Sequence, residues 1–232
     1  RHSRYLRLDP QKAFEAVLNF GFDRIRLACY WEEIEKEKGV YDFSVIRDLL
    51  MRCEEKRQNV VLTIGMKAPR WPEYYFPKWL LDKTPEGAAP FVYMFIEQAI
   101  DKLKDYACIT HWQVENEPLD PSGPEQFTIP VDILTAEIAL VRNNDKRPIL
   151  VNLWGNELKK RALLPEVVPL ADIIGLDLYY KVPLFAGLYR GPNDSDKKLA
   201  KIIEETGKPI WITELQAEPW EHTGMVPKAS NT

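Results

Sequence analysis

Along the chain, short dense runs of Ile, Val and Leu alternate with longer stretches in which apolar residues recur every three or four positions. The dense runs predict six strands, at Asp23 to Tyr30, Val60 to Gly65, Ile109 to Glu117, Ile149 to Trp154, Ile173 to Tyr179 and Ile210 to Glu214. The spaced stretches predict helices between them. In the first, Asp9 suits an N-cap, Pro10 the first helical position, and Phe14, Val17 and Leu18 share a face before Gly21 ends it. Val45, Ile46, Leu49 and Leu50 form a second face; Phe91, Phe95, Ile96, Ala99, Ile100 and Leu103 a third; Ile133, Leu134, Ile138 and Val141 a fourth. Regular alternation of strand and helix favours parallel strands joined by helices over a sandwich or a bundle. No internal repeat, low-complexity tract or Gly/Ser linker divides the chain, which reads as a single domain over residues 1–232.

The 18 prolines gather in strand-to-helix loops, around Ala68-Pro69-Arg70-Trp71-Pro72 and Leu119-Asp120-Pro121-Ser122-Gly123-Pro124, as loops that build a site would show. At 232 residues, 45% hydrophobic and 28% charged, the chain can bury a sizeable core. A net charge of -4 without a basic stripe argues against nucleic acid or an anionic membrane surface as partner, and a neutral substrate fits better. No stretch approaches the roughly 18 uninterrupted apolar residues of a membrane span. Arg1-His2-Ser3-Arg4 opens the sequence with no apolar stretch behind it, so the true start is expected to lie upstream. Cys29, Cys53 and Cys108 are odd in number and sit in or beside apolar runs, as buried reduced thiols would, and they leave the compartment open.

Candidate chemistry lies at two strand ends. Trp112-Gln113-Val114-Glu115-Asn116-Glu117-Pro118 finishes a strand with Asn-Glu and stops it with proline, and Ile210-Trp211-Ile212-Thr213-Glu214 delivers a second glutamate about a hundred residues later. Cleaving an acetal takes one carboxyl as proton donor and another as nucleophile or base. A single strand-end glutamate is usually a solvated surface residue; two in matched contexts favour chemistry. Rival chemistries have little to stand on. His2, His111 and His222 are far apart with no Cys or carboxylate at ligand spacing, so no metal site is expected. No Gly-rich phosphate loop follows a strand and no Gly-x-Ser-x-Gly elbow occurs, so nucleotide-phosphate and serine-hydrolase chemistries find no support either. Asn193-Asp194-Ser195 fits a glycosylation sequon, a tripeptide common by chance.

At these residues the sequence resembles the clan A glycoside hydrolases, whose catalytic domain is a TIM-type (β/α)8 barrel. Arg26 within Arg24-Ile25-Arg26-Leu27, followed by Trp31-Glu32-Glu33-Ile34-Glu35 and Gly39-Val40-Tyr41-Asp42-Phe43, looks like that clan's second strand and its loop. Asn116-Glu117-Pro118 looks like the fourth-strand acid/base motif, Asp172-Ile173-Ile174-Gly175-Leu176-Asp177-Leu178-Tyr179 like the sixth strand, and Thr213-Glu214 like the seventh, which carries the nucleophile. The ordered agreement covers roughly residues 5 to 220. It implies an α/β barrel represented here by strands two to seven, with strands one and eight expected outside the chain. The chain is accordingly read as part of a larger one or its ordered portion, without the tryptophan platform of strand eight.

The resemblance implies a retaining β-glycosidase that needs no cofactor, with Glu117 as acid/base and Glu214 as nucleophile. In such an enzyme the two carboxyls sit about 5–5.5 Å apart across the scissile bond. Glu117 has to hold a proton, which burial and the charge of Glu214 would favour, while Glu214 has to attack as the carboxylate. Arg26 is expected beside Glu214; the alternative is an interior salt bridge with Glu115. Asn116 is expected to hydrogen-bond the sugar 2-hydroxyl. Strand alternation places Gly175, Asp177 and Tyr179 on the inner side and Ile174, Leu176, Leu178 and Tyr180 on the other, so Tyr179 rather than Tyr180 is expected to orient Glu214. Trp71, Trp154 and Trp220 fall near the presumed mouth, where an indole face can stack on a pyranose, whereas Trp112 and Trp211 lie in strands and are expected in the core. Lys67 follows the third strand, where many clan members carry histidine, and is a candidate substrate contact. The loop Pro69-Arg70-Trp71-Pro72 resembles the β-galactosidase branches of the clan. The expected partner is a glycoside or oligosaccharide. Two rivals stay open: a transglycosylase, which product analysis at high acceptor concentration would reveal, and a non-catalytic carbohydrate-binding relative, which would bind sugar without turnover. Sugar, linkage, endo or exo action, oligomeric state and localisation are not determined by these residues.

Overall fold

Six parallel strands, paired in the order in which they occur along the chain, form one sheet in the computed structural model. The structure describes residues 3, 6–70, 72–121, 123–124, 126–154, 162–178, 182–183, 189–190, 194–215, 220–221 and 228–229. The strands are β1 (Arg24–Ala28), β2 (Asn59–Ile64), β3 (Ile109–Val114), β4 (Ile149–Trp154), β5 (Ile173–Leu178) and β6 (Ile210–Leu215). Each pairs in parallel with the next, so every C-terminal end lies on one rim. Parallel neighbours need a crossover, and helices supply it: α1 (Pro10–Asn19) precedes β1, and α2 (Trp31–Ile34), α3 (Ser44–Glu55), α4 (Pro85–Leu103), α5 (Val131–Asn144), α6 (Leu164–Val167) and α7 (Asp194–Glu204) lie between strands. The sheet is curled: side chains of β1 meet those of β6, with Arg24 4.5 Å over the Trp211 ring and His111 of β3 4.8 Å from that ring.

All six predicted strands are present, and their ends differ for local reasons. β3 stops at Val114 rather than Glu117 because Glu115 (φ 59°) and Glu117 (φ 44°) take the left-handed backbone, which a strand cannot continue through. The helices form where capping and periodicity coincide. The Asp9 carboxylate accepts from the backbone N–H groups of Gln11 and Lys12, both at 2.9 Å, and Thr84 caps α4 through Gly87 N–H at 3.1 Å. On α4, Phe95, Ile96, Ala99, Ile100 and Leu103 are buried as predicted, with Phe91 packed partly against them. On α5, Ile133, Leu134, Ile138 and Val141 are buried, and Glu137 lies among them. Two faces are narrower than predicted. Val45 is 62% exposed while Cys53 joins Ile46 and Leu50 inside, and on α1 only Leu18 is buried.

Between sheet and helices, Trp31 stacks on Phe95 with ring centroids 5.8 Å apart, and Phe43 on Phe95 at 6.4 Å. Removing such a ring costs about 3–5 kcal/mol, so this cluster anchors α2 and α4 to the sheet. Cys29, Cys53 and Cys108 are buried free thiols, and burial pushes the Cys53 thiol up to about 12. No helix among the described residues is long and apolar enough to cross a membrane.

Candidate active site

The C-terminal rim collects the polar residues that the core excludes. From β1, Arg26 reaches across the curl and donates to the Glu214 carboxylate of β6, forming an ion pair in which each side chain is 21% exposed. A second guanidinium nitrogen lies 3.5 Å from Gln113 Oε1. Glu115 takes no part in this ion pair.

Asn152 organises the middle of the rim. It is a fully buried polar residue in an otherwise apolar strand, and all its amide atoms are engaged. Its Oδ1 accepts from the Glu117 backbone N–H at 3.0 Å and from Gln113 Nε2 at 2.9 Å. Its Nδ2 donates to Asn116 Oδ1 at 3.0 Å and to Asp177 Oδ2 at 2.5 Å. Thr213 Oγ1 donates to the other Asp177 oxygen at 2.6 Å. Gly175 makes room for this network: a Cβ there would stand 2.6 Å from Thr213 side-chain atoms and 2.8 Å from Asn152 Cβ. Asn116, 3% exposed, has its Oδ1 committed to Asn152, which fixes the orientation of the amide.

Glu117 is 8% exposed and lies close enough to Asp177 and Glu214 to feel both. Burial pushes its carboxyl well above the usual range, the Asp177 and Glu214 charges push in the same direction, and the Lys67 ammonium opposes them. Asp177 is raised too, by burial and then by the Glu214 charge. A carboxyl so placed holds its proton to higher pH than an ordinary glutamate does, which is the direction a general acid requires.

Lys67 does not offer its ammonium to a ligand, contrary to the expectation of a substrate contact. It is fully buried, and Nζ donates to the backbone carbonyls of Glu117 at 2.7 Å and Asp120 at 3.1 Å, with Glu73 Oε2 at 3.4 Å. The three hydrogens of an ammonium are thereby accounted for. Glu115 is also fully buried, and its left-handed backbone breaks the strand alternation that would have aimed it at Arg26. Its carboxylate instead accepts from the Met66 and Lys67 backbone N–H groups at 2.8 and 2.6 Å and lies beside the buried Glu137 carboxyl of α5. Two buried carboxyls in contact cannot both ionise, and burial raises both. A Cβ on Gly65 would overlap the Glu115 carboxyl at 2.2 Å, so glycine is required there.

Trp154, the last residue of β4, is half-buried and shares the inward parity of Asn152. Trp112 is fully buried as predicted; Trp211 is half-buried against His111 and Arg24. Trp71 and Tyr179 lie outside the described residues, and of Trp220 only its strand pairing, Trp220–Glu221 with Lys228–Ala229, is described. Among the described residues no group of three or more His, Cys, Asp or Glu is placed to hold a metal ion. Sequence reasoning gave no role to Asn152, Asp177 or Glu137, although each is a polar residue in an apolar face, the one sign that could have flagged them.

No protein-family profile matches the chain, and no curated protein matches it in sequence. Solved structures do match its fold. A psychrophilic glycoside hydrolase family 10 endo-β-1,4-xylanase superposes with a TM-score of 0.65 at 16% identity, over 88% of this chain and 70% of that one. Xylanase 10B from Thermotoga maritima gives 0.62 at 18% identity, over 89% and 65%. A β-galactosidase from Bacillus circulans sp. alkalophilus gives 0.63 at 12% identity, over 95% and 44%. The chain thus spans 65–70% of the two xylanases' lengths and less than half of the galactosidase's. Its six parallel strands form a curled half-barrel of the TIM type, the fold of the glycoside hydrolases that superpose on it.

Proposed function

We propose that this chain belongs to the catalytic barrel of a retaining β-glycosidase, with Glu117 as acid/base and Glu214 as nucleophile. One observation carries the reading: a buried carboxyl whose surroundings favour its protonated form and a carboxylate paired with an arginine stand on the same rim, each within electrostatic reach of the other. Glu117 donates its proton to the leaving oxygen while the Glu214 carboxylate attacks the anomeric carbon, breaking the glycosidic bond and forming a glycosyl ester. Forming that ester neutralises Glu214, which removes one of the charges raising the Glu117 pKa. Glu117, now a carboxylate, then takes a proton from the water that attacks the ester, and both glutamates return to their starting states.

Arg26 orients the nucleophile, and Asn116, its Oδ1 held by Asn152, has its NH2 left for the sugar 2-hydroxyl. In this reading Trp154, Trp71 and Trp220 stack on sugar faces and the Tyr179 hydroxyl orients Glu214. The substrate is a β-linked glycoside; the solved structures of like fold are named as xylanases, a β-glucosidase and a β-galactosidase, which sets the panel to try.

The test is intact mass after incubation of the full-length protein with 2-deoxy-2-fluoro β-glycosides of glucose, galactose, mannose and xylose, with Glu214→Gln alongside. A stable adduct of one sugar, absent from the variant, is the expected result. Binding of these sugars with neither adduct nor turnover would sink the reading in favour of a carbohydrate-binding relative.

A further inference from the structure

Two loops at the rim hold each other by opposite charges. The loop after β2 sends the Lys67 ammonium to the carbonyls of Glu117 and Asp120; the turn after β3 sends the Glu115 carboxylate to the backbone N–H groups of Met66 and Lys67. Lys67 thus both gives and receives, through side chain and backbone, across the same gap. The carbonyl it grips most closely is that of Glu117, which also accepts from Asp120 N–H at 3.0 Å and so closes the turn that aims the Glu117 side chain.

An ammonium and a carboxylate buried from solvent are costly unless each is fully partnered, and packing alone would be served by apolar residues. These two are placed where the backbone most needs holding. Glu115 and Glu117 both take left-handed φ angles that non-glycine residues avoid, and such a conformation persists only when its surroundings over-determine it. The Glu117 peptide is fixed at both ends, its N–H by Asn152 and its carbonyl by Lys67. Behind Glu115 lies the buried carboxyl of Glu137 on α5.

We infer that Lys67 and Glu115 form a reciprocal clamp that positions the Glu117 carboxyl for proton donation, with no contact to substrate. This rests on the assignment of Glu117 as acid/base under Proposed function. Loosening the clamp should disable proton donation and spare the nucleophile. A substrate whose leaving group needs no proton then separates this role from general support of the fold.

The experiment compares wild type, Lys67→Met and Glu115→Gln on a 2,4-dinitrophenyl β-glycoside and on the unactivated disaccharide of the same sugar, with thermal unfolding as the check on folding. For the disaccharide kcat/KM should fall about 10²-fold, the lower range of a general acid's contribution. For the activated glycoside kcat/KM, which reports only formation of the glycosyl ester, should change by less than about threefold, because that leaving group needs no general acid for departure. Equal loss of kcat/KM on both substrates, or loss on neither, overturns the clamp. Should both variants fail to fold, Glu73→Ala removes only the half-buried third partner of Lys67 and should show the same split at about tenfold. Amide hydrogen exchange at Asp120 provides a readout independent of activity: it should quicken roughly tenfold or more in Lys67→Met. If wild type turns over nothing, the assignment of Glu117 fails, and unchanged exchange at Asp120 would separately overturn the clamp.

Discussion

Glu115 and Glu117 stand two residues apart on the same strand end, both with left-handed backbone, and the fold turns them to opposite uses. Glu117 faces the rim, 8% exposed, among Asp177, Glu214 and the Lys67 charge. Glu115 turns to the loop after β2 and to α5, is fully buried, and meets two backbone N–H groups and the Glu137 carboxyl. Both carboxyls are raised by burial. A raised pKa by itself therefore does not mark the acid of a reaction; a path from the carboxyl to the rim, with a second carboxylate across it, does.

The contrast is broken most strongly by Glu117→Gln. Turnover of an unactivated β-glycoside should fall about 10²–10⁴-fold, as loss of a general acid does, and steady-state kinetics reads it. Thermal stability should hold or rise, since a buried carboxyl beside Asp177 is replaced by a neutral amide of the same shape. Glu115→Ala should reverse the pattern in stability. It leaves the buried Met66 and Lys67 N–H groups without their acceptor, a loss on the order of 3 kcal/mol in denaturant unfolding.

The smallest effect concerns pH. Burial, and then the Glu115 charge, raise Glu137 well above its ordinary value of 4.5. The folded state therefore binds a proton that the unfolded state releases above that value. Stability is full at or below pH 4.5 and declines as the pH rises towards the folded-state value. One such retained proton imposes a slope of about 1.4 kcal/mol per pH unit over that window. Glu137→Gln, whose amide can donate to Glu115 without titrating, should flatten the decline. It should raise the melting temperature at pH 8 more than at pH 5; an equal change at both would mean that the pair does not share a proton. Catalytic rate on an activated substrate should be unaltered, which separates the hidden pair from the rim.

Much of this molecule is legible in its sequence because the responsible forces are local. Ile149-Leu150-Val151 and Ile173-Ile174 are β-branched and aliphatic runs that can be buried on both faces, and capping by Asp9 and Thr84 fixes helix starts within a few residues. The two strand-end glutamates were visible because proline after Glu117 and the matched apolar runs set them in one context. Arg26 was set beside Glu214 by the family resemblance, and the ion pair forms where the sheet curls.

The sequence could not decide which neighbours the buried polar groups would find. Parity would have sent Glu115 inward to Arg26, and a single left-handed residue sends it to the backbone of the next loop instead. Lys67 reads as a solvent-reaching cation, and only the approach of the turn after β3 converts it into a buried hydrogen-bond donor to the Glu117 carbonyl. Asn152, Asp177 and Glu137 come from three elements far apart in the chain, and their partners exist only when those elements meet. Strands and helices follow from patterns a few residues long. The protonation and aim of a carboxyl depend on charges and dipoles within a few ångströms, and tertiary structure alone brings them there.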